Sequence, residues 1–209
     1  MKNLYTAIIC ILVYCGCTNS YNQNAATDEY QKEKFDSFLT QFAQFDGKQP
    51  DESFFEIRKQ FPDEKWCPEI SKILFSSYLP CEESHKEENN FCYRPCYKIE
   101  KNNFYLVSIN RERYSYDDNT LVTYDKKGNI IDFATVGASS GAEVHKIEPS
   151  SKENEIVYTQ YCFKDVESAY DGDCDVYVYK VTVEDNGKIE KKLLREEKNM
   201  KVTLYNVTY

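Results

Sequence analysis

Val176-Tyr177-Val178-Tyr179-Lys180-Val181-Thr182-Val183-Glu184-Asp185-Asn186-Gly187-Lys188-Ile189 is the stretch that decides the fold. Val176 to Val183 is built from β-branched and aromatic residues, the types that fit a pleated, half-buried surface. Asn186-Gly187 interrupts the run, and Lys188 to Leu194 carries a second strand away from it. Asn-Gly between two such runs is the strongest short-range sign of a hairpin, because both turn positions need positive φ.

The same signature lies upstream. Thr120 to Tyr124 and Ile130 to Val136 flank Asp125-Lys126-Lys127-Gly128-Asn129. Further strands are expected at Phe104–Ile109, Ile156–Phe163 and Lys201–Tyr209, with strand character beginning near Phe91. Tight turns between consecutive strands give an antiparallel meander. Asp117-Asp118-Asn119 and Asp171-Gly172-Asp173-Cys174-Asp175 read as acidic turns between strands.

The first third of the chain is helical in pattern. Phe35, Phe38, Leu39, Phe42 and Phe45 fall on one face of a 3.6-residue period. Thr27 or Asp28 caps this helix, and Gly47 and Pro50 end it. A second helix is expected around Phe54, Ile57 and Phe61. A third starts at Pro68, groups Ile70, Ile73 and Leu74, and stops before Pro80. Helices at the front and strands behind make the class α+β, with N-terminal helices packed on a C-terminal antiparallel β-meander. The phenylalanine stripe should cover one face of the sheet.

The N-terminus is a secretion signal. Lys2 precedes an apolar run from Leu4 to Tyr14, which is shorter than the roughly 20 residues of a spanning helix. Tyr14-Cys15-Gly16-Cys17 follows, then polar Thr18-Asn19-Ser20. The expected organisation is a signal peptide over 1–16, a polar tether over 17–27 and one domain over 28–209, helical over 28–80 and strand-rich over 91–209.

The chain is acidic, with net charge −9. Phosphate backbones are bound by basic surfaces, so nucleic acid is not an expected partner. An acidic field would favour a basic protein partner. Candidate contacts are the acidic segments at Glu82, Glu83, Glu87 and Glu88, at Asp117 and Asp118, and at Asp171, Asp173 and Asp175.

The body carries Cys67, Cys81, Cys92, Cys96, Cys162 and Cys174. In an exported chain this even number reads as three disulfides, with Cys162–Cys174 as a local pair and the other four pairing among themselves. A zinc site on Cys92 and Cys96 is the competing reading, but no second close pair of ligands accompanies them.

Several segments resemble catalytic patterns. Gly137-Ala138-Ser139-Ser140-Gly141 matches G-x-S-x-G, and His145 follows closely. In hydrolases that serine sits on a strand-to-helix turn. Here the residues after Gly141 read as extended, so a glycine-serine loop between strands explains the same pattern. His85 lies in a solvated charge run. The Asp171–Asp175 segment fails the calcium-loop pattern, which needs glycine and glutamate where Val176 and Thr182 stand. No carboxylate pair stands out for glycoside hydrolysis, and no glycine loop cradles phosphate. No catalytic residue, metal or cofactor is therefore assigned. The 18 tyrosines suit a sheet interior, or an exposed row that binds glycan or peptide.

The start at Gly16-Cys17 resembles the bacterial lipobox, in which a small residue precedes the cysteine that becomes lipidated. Tyr14 departs from that pattern, where an aliphatic residue is usual, so ordinary secretory cleavage nearby is the competing reading. The lipobox-like start, the tether and the Tyr/Asn/Lys-rich strands containing Tyr124-Asp-Lys-Lys-Gly-Asn-Ile-Ile-Asp132 resemble small lipoproteins of Bacteroidetes bacteria. The resemblance implies lipidation at Cys17 and anchoring in the cell envelope, facing the periplasm or the exterior. Some proteins of this style are immunity or inhibitor proteins that neutralise injected toxins. The expectation is a non-catalytic protein-binding lipoprotein. A glycan- or peptide-binding envelope protein and a serine hydrolase are the alternatives.

Overall fold

The computed structural model describes residues 29–45, 69–80, 91–113, 116–140, 142–148, 152–165 and 171–204. The signal, Cys17, Cys67, the second expected helix, and the segment holding Cys81 and Glu82 to Glu88 lie outside these residues.

Helix α1 spans residues 29–39 and strand β1 is Ala43–Gln44. A one-turn helix α2, Lys72–Phe75, runs into a 3-10 turn at Ser76–Tyr78. Eight further strands follow: β2 Cys92–Glu100, β3 Phe104–Arg113, β4 Tyr116–Asp125, β5 Ile130–Ser140, β6 Glu143–Ile147, β7 Glu155–Phe163, β8 Asp171–Val183 and β9 Ile189–Thr203. All nine strands join one sheet in chain order. Every pairing is antiparallel except β1 with β2. The expected meander is present, and strands dominate the described residues. The helical share is smaller than expected.

The differences have local causes. The phenylalanine helix stops after residue 39, and Phe42 reaches the core from the turn that follows. The third helix is too short to keep its apolar residues on one face. Ile70, Phe75, Tyr78 and Leu79 are buried, whereas Ile73 is 93% exposed. Asp117-Asp118-Asn119 is not a turn but the middle of β4, and Asp171–Asp175 opens β8 as strand. The strands expected at Lys188–Leu194 and from Lys201 onward join in one strand, β9, Ile189–Thr203, and residues 205–209 lie outside the described residues.

Sequential strands alone would make a flat ribbon with two wet faces. Instead the sheet folds over at β5–β6, which share a single register pair, Ser140 with Glu143. The inner face of β2–β5 then meets β6–β8. Tyr97, Ile99, Phe104, Leu106, Leu121 and Val136 pack against Ile147, Ile156, Tyr158, Val181 and Val183. On the outer face of β2–β5, the rings of Phe35, Phe38 and Phe42 cover Tyr93, Val107, Ile109, Val122 and Tyr124. The phenylalanine stripe thus packs on the sheet as expected.

One-residue bulges make this layering possible, because each extra residue moves the following side chains to the opposite face. Cys96 is such a residue in β2: Pro95 pairs with Ile109, but Tyr97 pairs with Ser108. Tyr93 therefore joins the helical layer, while Tyr97 and Ile99 join the inner core. The two similar hairpin turns also serve different layers. At Gly128, φ is +89° and the Phe35 ring lies where a Cβ would stand, 2.7 Å from its Cγ, so the turn seats α1. At the other turn, the Gly187 carbonyl accepts the Thr123 hydroxyl at 2.6 Å and ties the two sheet halves together.

Candidate functional site

Ser139 and His145 are neighbours in space. The hairpin from β5 to β6 places the serine Oγ 2.9 Å from His145 Nδ1. Both are 8% exposed. Gly137 is the extra residue of the β5 bulge: Val136 pairs with Asn119 and Ala138 with Asp118. Its φ is +72°, and a Cβ there would stand 2.5 Å from His145 Cδ2. The glycine backbone is thus laid directly on the imidazole. Tyr158 bonds the Gly137 backbone, and His145 bonds the Ala138 backbone. Gln160 closes the other side, donating to the Ala138 carbonyl at 2.8 Å. Its side-chain oxygen accepts from the Ala138 amide at 3.3 Å.

Burial pushes the His145 pKa down to about 4. The ring is neutral at pH 7 and shares a hydrogen bond with the serine hydroxyl. A base of that strength, held by Ser139 and the Ala138 backbone, is a poor match to general-base work near neutrality. On the neighbouring strand Asp117 stands opposite Ser139 in register, and Asp118, whose charge acts on the ring, is committed elsewhere. Its Oδ1 accepts from Arg111 Nε at 2.8 Å and from Thr120 Oγ1 at 2.8 Å, and its Oδ2 accepts from the second guanidinium nitrogen at 2.7 Å. Asp118 is wholly buried, and Arg111 is 6% exposed and lies over the Phe91 ring. Serine, histidine and aspartate are therefore close in chain and fold, yet they form two separate structural locks. A cleft of about 380 Å³ opens among Lys101, Asn103, Asn154 and Asp185, and none of the Ser139 cluster lines it.

His145 makes a testable contribution to acid stability. Its folded pKa is depressed, so its contribution is complete above the unfolded value of 6.5 and declines as pH falls towards 4. The limiting loss is about 3 kcal/mol. Urea midpoints at pH 7 and pH 4.5 should drop more for the wild-type domain than for His145→Gln. Parallel pH profiles would remove histidine from the acid response.

The other expected residues separate into distinct surroundings. Asp118 is corrected from a partner contact to a buried ion pair. Asp117 occupies a position opposite Glu112 within β4. Asp171 and Asp173 are exposed. Asp175 accepts from the Asn199 amide at 3.0 Å and pairs with Lys198 at 3.2 Å, contacts that lower its pKa. The Cys162–Cys174 disulfide is not formed. Cys162 pairs in register with Asp175 and Cys174 with Phe163, so the two thiols point to opposite faces of the sheet. Burial raises the pKa of both. Cys92 and Cys96 lie on one strand, Cys92 at its start and Cys96 as the bulged residue of β2. Burial and then the Glu69 charge push the Cys92 thiol up. The Cys96 thiol faces the Arg94 carbonyl.

Sequence reasoning placed strand at both ends of β9 but missed that it carries the most open surface. β9 is the last strand of the sheet, fifteen residues long, and exposed along nearly all of it. Leu193 is 44% exposed, Leu194 50% and Met200 39%. Beside it on β8, the Tyr177 and Tyr179 rings stack at 6.4 Å, and Tyr179 stacks on Tyr158 at 5.2 Å. Lysines cap this row: Lys198 stands 4.4 Å from the Tyr177 centroid and Lys191 4.6 Å from that of Tyr179. The signal was present in Tyr-Val-Tyr and in Leu193-Leu194. Only the tertiary structure shows that Leu193, Leu194 and Met200 stay exposed.

No protein-family model, curated protein or solved structure matches the chain. The site therefore stands on its own geometry.

Proposed function

We propose that the protein is a non-catalytic, lipid-anchored envelope protein that binds another protein, acting as an inhibitor or immunity protein. The observation that carries this reading is β9: a long edge strand with three exposed large apolar residues. Eight of its fifteen residues are charged, a pattern that blunts unwanted edge pairing, and Leu193-Leu194 is an apolar gap in that pattern. Lipidation at Cys17 would place the domain at a membrane surface, where an incoming toxin or secreted enzyme must pass. The enclosed Ser139–His145 contact weighs against the hydrolase alternative. The part-exposed Tyr177 and Tyr179 favour a second reading, a glycan- or peptide-binding platform.

The test places a photo-crosslinking residue at Leu194 of the full-length protein in cells, with the exposed Lys32 of α1 as a control. A discrete protein adduct at Leu194 and none at Lys32 is expected. Absence of any protein adduct, or turnover of an activated ester that Ser139→Ala abolishes, would overturn the reading. Binding to a glycan array that Tyr177→Ala removes would move it to the second.

A further inference from the structure

We infer that the Ile189–Leu193 segment of β9 takes an extended, carboxylate-bearing segment of a partner protein, with Lys191 as the residue that receives the carboxylate. The inference rests on the protein-binding reading and specifies the chemistry of the contact.

Among the described residues five cations lie over rings, Lys72 on Tyr93 being one of them. Arg111 lies over Phe91 and is paired with Asp118. Lys126 lies over Tyr105 and is paired with Glu100. Lys198 lies over Tyr177 and is paired with Asp175 and Glu196. Lys191 lies over two rings, 4.6 Å from the Tyr179 centroid and 5.4 Å from that of Tyr158, and among the described residues no carboxylate pairs with it. The residue as a whole reaches solvent, but its ammonium is set against the rings, and the partial desolvation lowers its pKa. A cation that has lost water without gaining a counter-charge is a standing site for an anion. In a chain of net charge −9, its isolation is the more telling.

The backbone beside it points to an extended partner. At the head of β9, the Ile189 amide donates to Asp132 Oδ2 at 3.1 Å, so a carboxylate of this chain already caps that end. Beyond it, alternate backbone groups of an edge strand face away from the sheet. Two irregularities, at Leu194 and near Asn199 with φ 55°, interrupt the ladder with β8. They leave Ile189–Leu193 as the regular stretch against which a strand can be added. On that stretch Lys191 offers charge and Leu193 an apolar contact on the same face, two residues apart. The local chemistry is opposite to the basic partner expected from the acidic composition.

The probes are two synthetic peptides of matched strand propensity, one alternating Glu with Val and Tyr, the other Lys with Val and Tyr. Each is titrated into the isotope-labelled protein and followed by NMR. The acidic peptide is expected to bind, to shift Leu193 methyl and Lys191 side-chain signals, and to lose at least fivefold in affinity with Lys191→Ala. Lys191→Glu should reverse the preference to the basic peptide. Equal binding of the acidic peptide to Lys191→Ala, or none to the wild-type protein, would overturn the inference. If Leu194 still crosslinks a protein in cells in that case, the protein-binding reading survives and only the acidic chemistry fails.

Discussion

Asp118→Ala is expected to cost about 3–5 kcal/mol of folding stability, the range for removing one partner of a buried ion pair. Asp118 is 0% exposed and accepts three short hydrogen bonds, from Arg111 Nε, Arg111 Nη2 and Thr120 Oγ1. Without it, the Arg111 guanidinium stays buried between the sheet and Phe91, with its charge uncompensated by Asp118 and the Thr135 hydroxyl 3.3 Å away. A domain of this size should then melt about 10 °C lower. Desolvation, not lost attraction, is the cause, so Arg111→Met combined with Asp118→Leu should recover most of the loss. Thermal unfolding of the single and double variants decides the point. A double variant as unstable as Asp118→Ala would mean that the pair holds a strand geometry that apolar packing cannot reproduce.

Gly137→Ala is expected to cost about 3 kcal/mol, combining the left-handed backbone with overpacking. Its Cβ would fall inside contact distance of three His145 atoms, at 2.5, 2.6 and 2.9 Å. The imidazole cannot swing away without losing Ser139 and the Ala138 backbone. Two effects can be separated by a double-mutant cycle with His145→Ala. Removing the ring abolishes the overpacking but leaves the φ of +72°, so the two substitutions should be strongly non-additive, by about 1–2 kcal/mol. Additive losses in urea midpoints would assign the whole effect of Gly137→Ala to backbone strain.

Both substitutions fall in the segment that looks most like an enzyme in the sequence. G-x-S-x-G was legible as a pattern, and Ser139 and His145 do meet. Their use was not legible, because it depends on Gly137 adding one residue to β5 and turning Ser139 inwards. Gln160 and Tyr158, which complete the enclosure, come from β7. Nothing local to the motif announces them. Asp118 was misplaced for a related reason. Three consecutive polar residues look like a turn until Arg111, seven residues earlier, is found opposite in register. A buried ion pair writes polar letters into a strand.

The cysteines teach the same lesson about faces. Cys162 and Cys174 are close along the chain and sit on adjacent strands, which is what a local disulfide requires. Their registers differ by one residue, and the period of two in a strand puts that one residue on the far side. The open end of the sheet was hidden for a larger-scale reason. Whether Tyr177 and Tyr179 lie under another layer depends on how the sheet folds over, which their own sequence neighbours do not specify.

By itself the sequence determined what short-range physics controls. The alternation of β-branched and aromatic residues, and glycine at positive φ in the Asp125–Asn129 and Glu184–Lys188 turns, specify consecutive antiparallel strands in chain order. The phenylalanine spacing specifies a helix with one buried face. Only the tertiary structure decided which face each strand presents to which layer, where the sheet folds over, and which charges are left without partners. Those outcomes turn on single-residue bulges and on contacts between segments distant in the chain, and a period of two converts each such shift into the opposite side of the sheet.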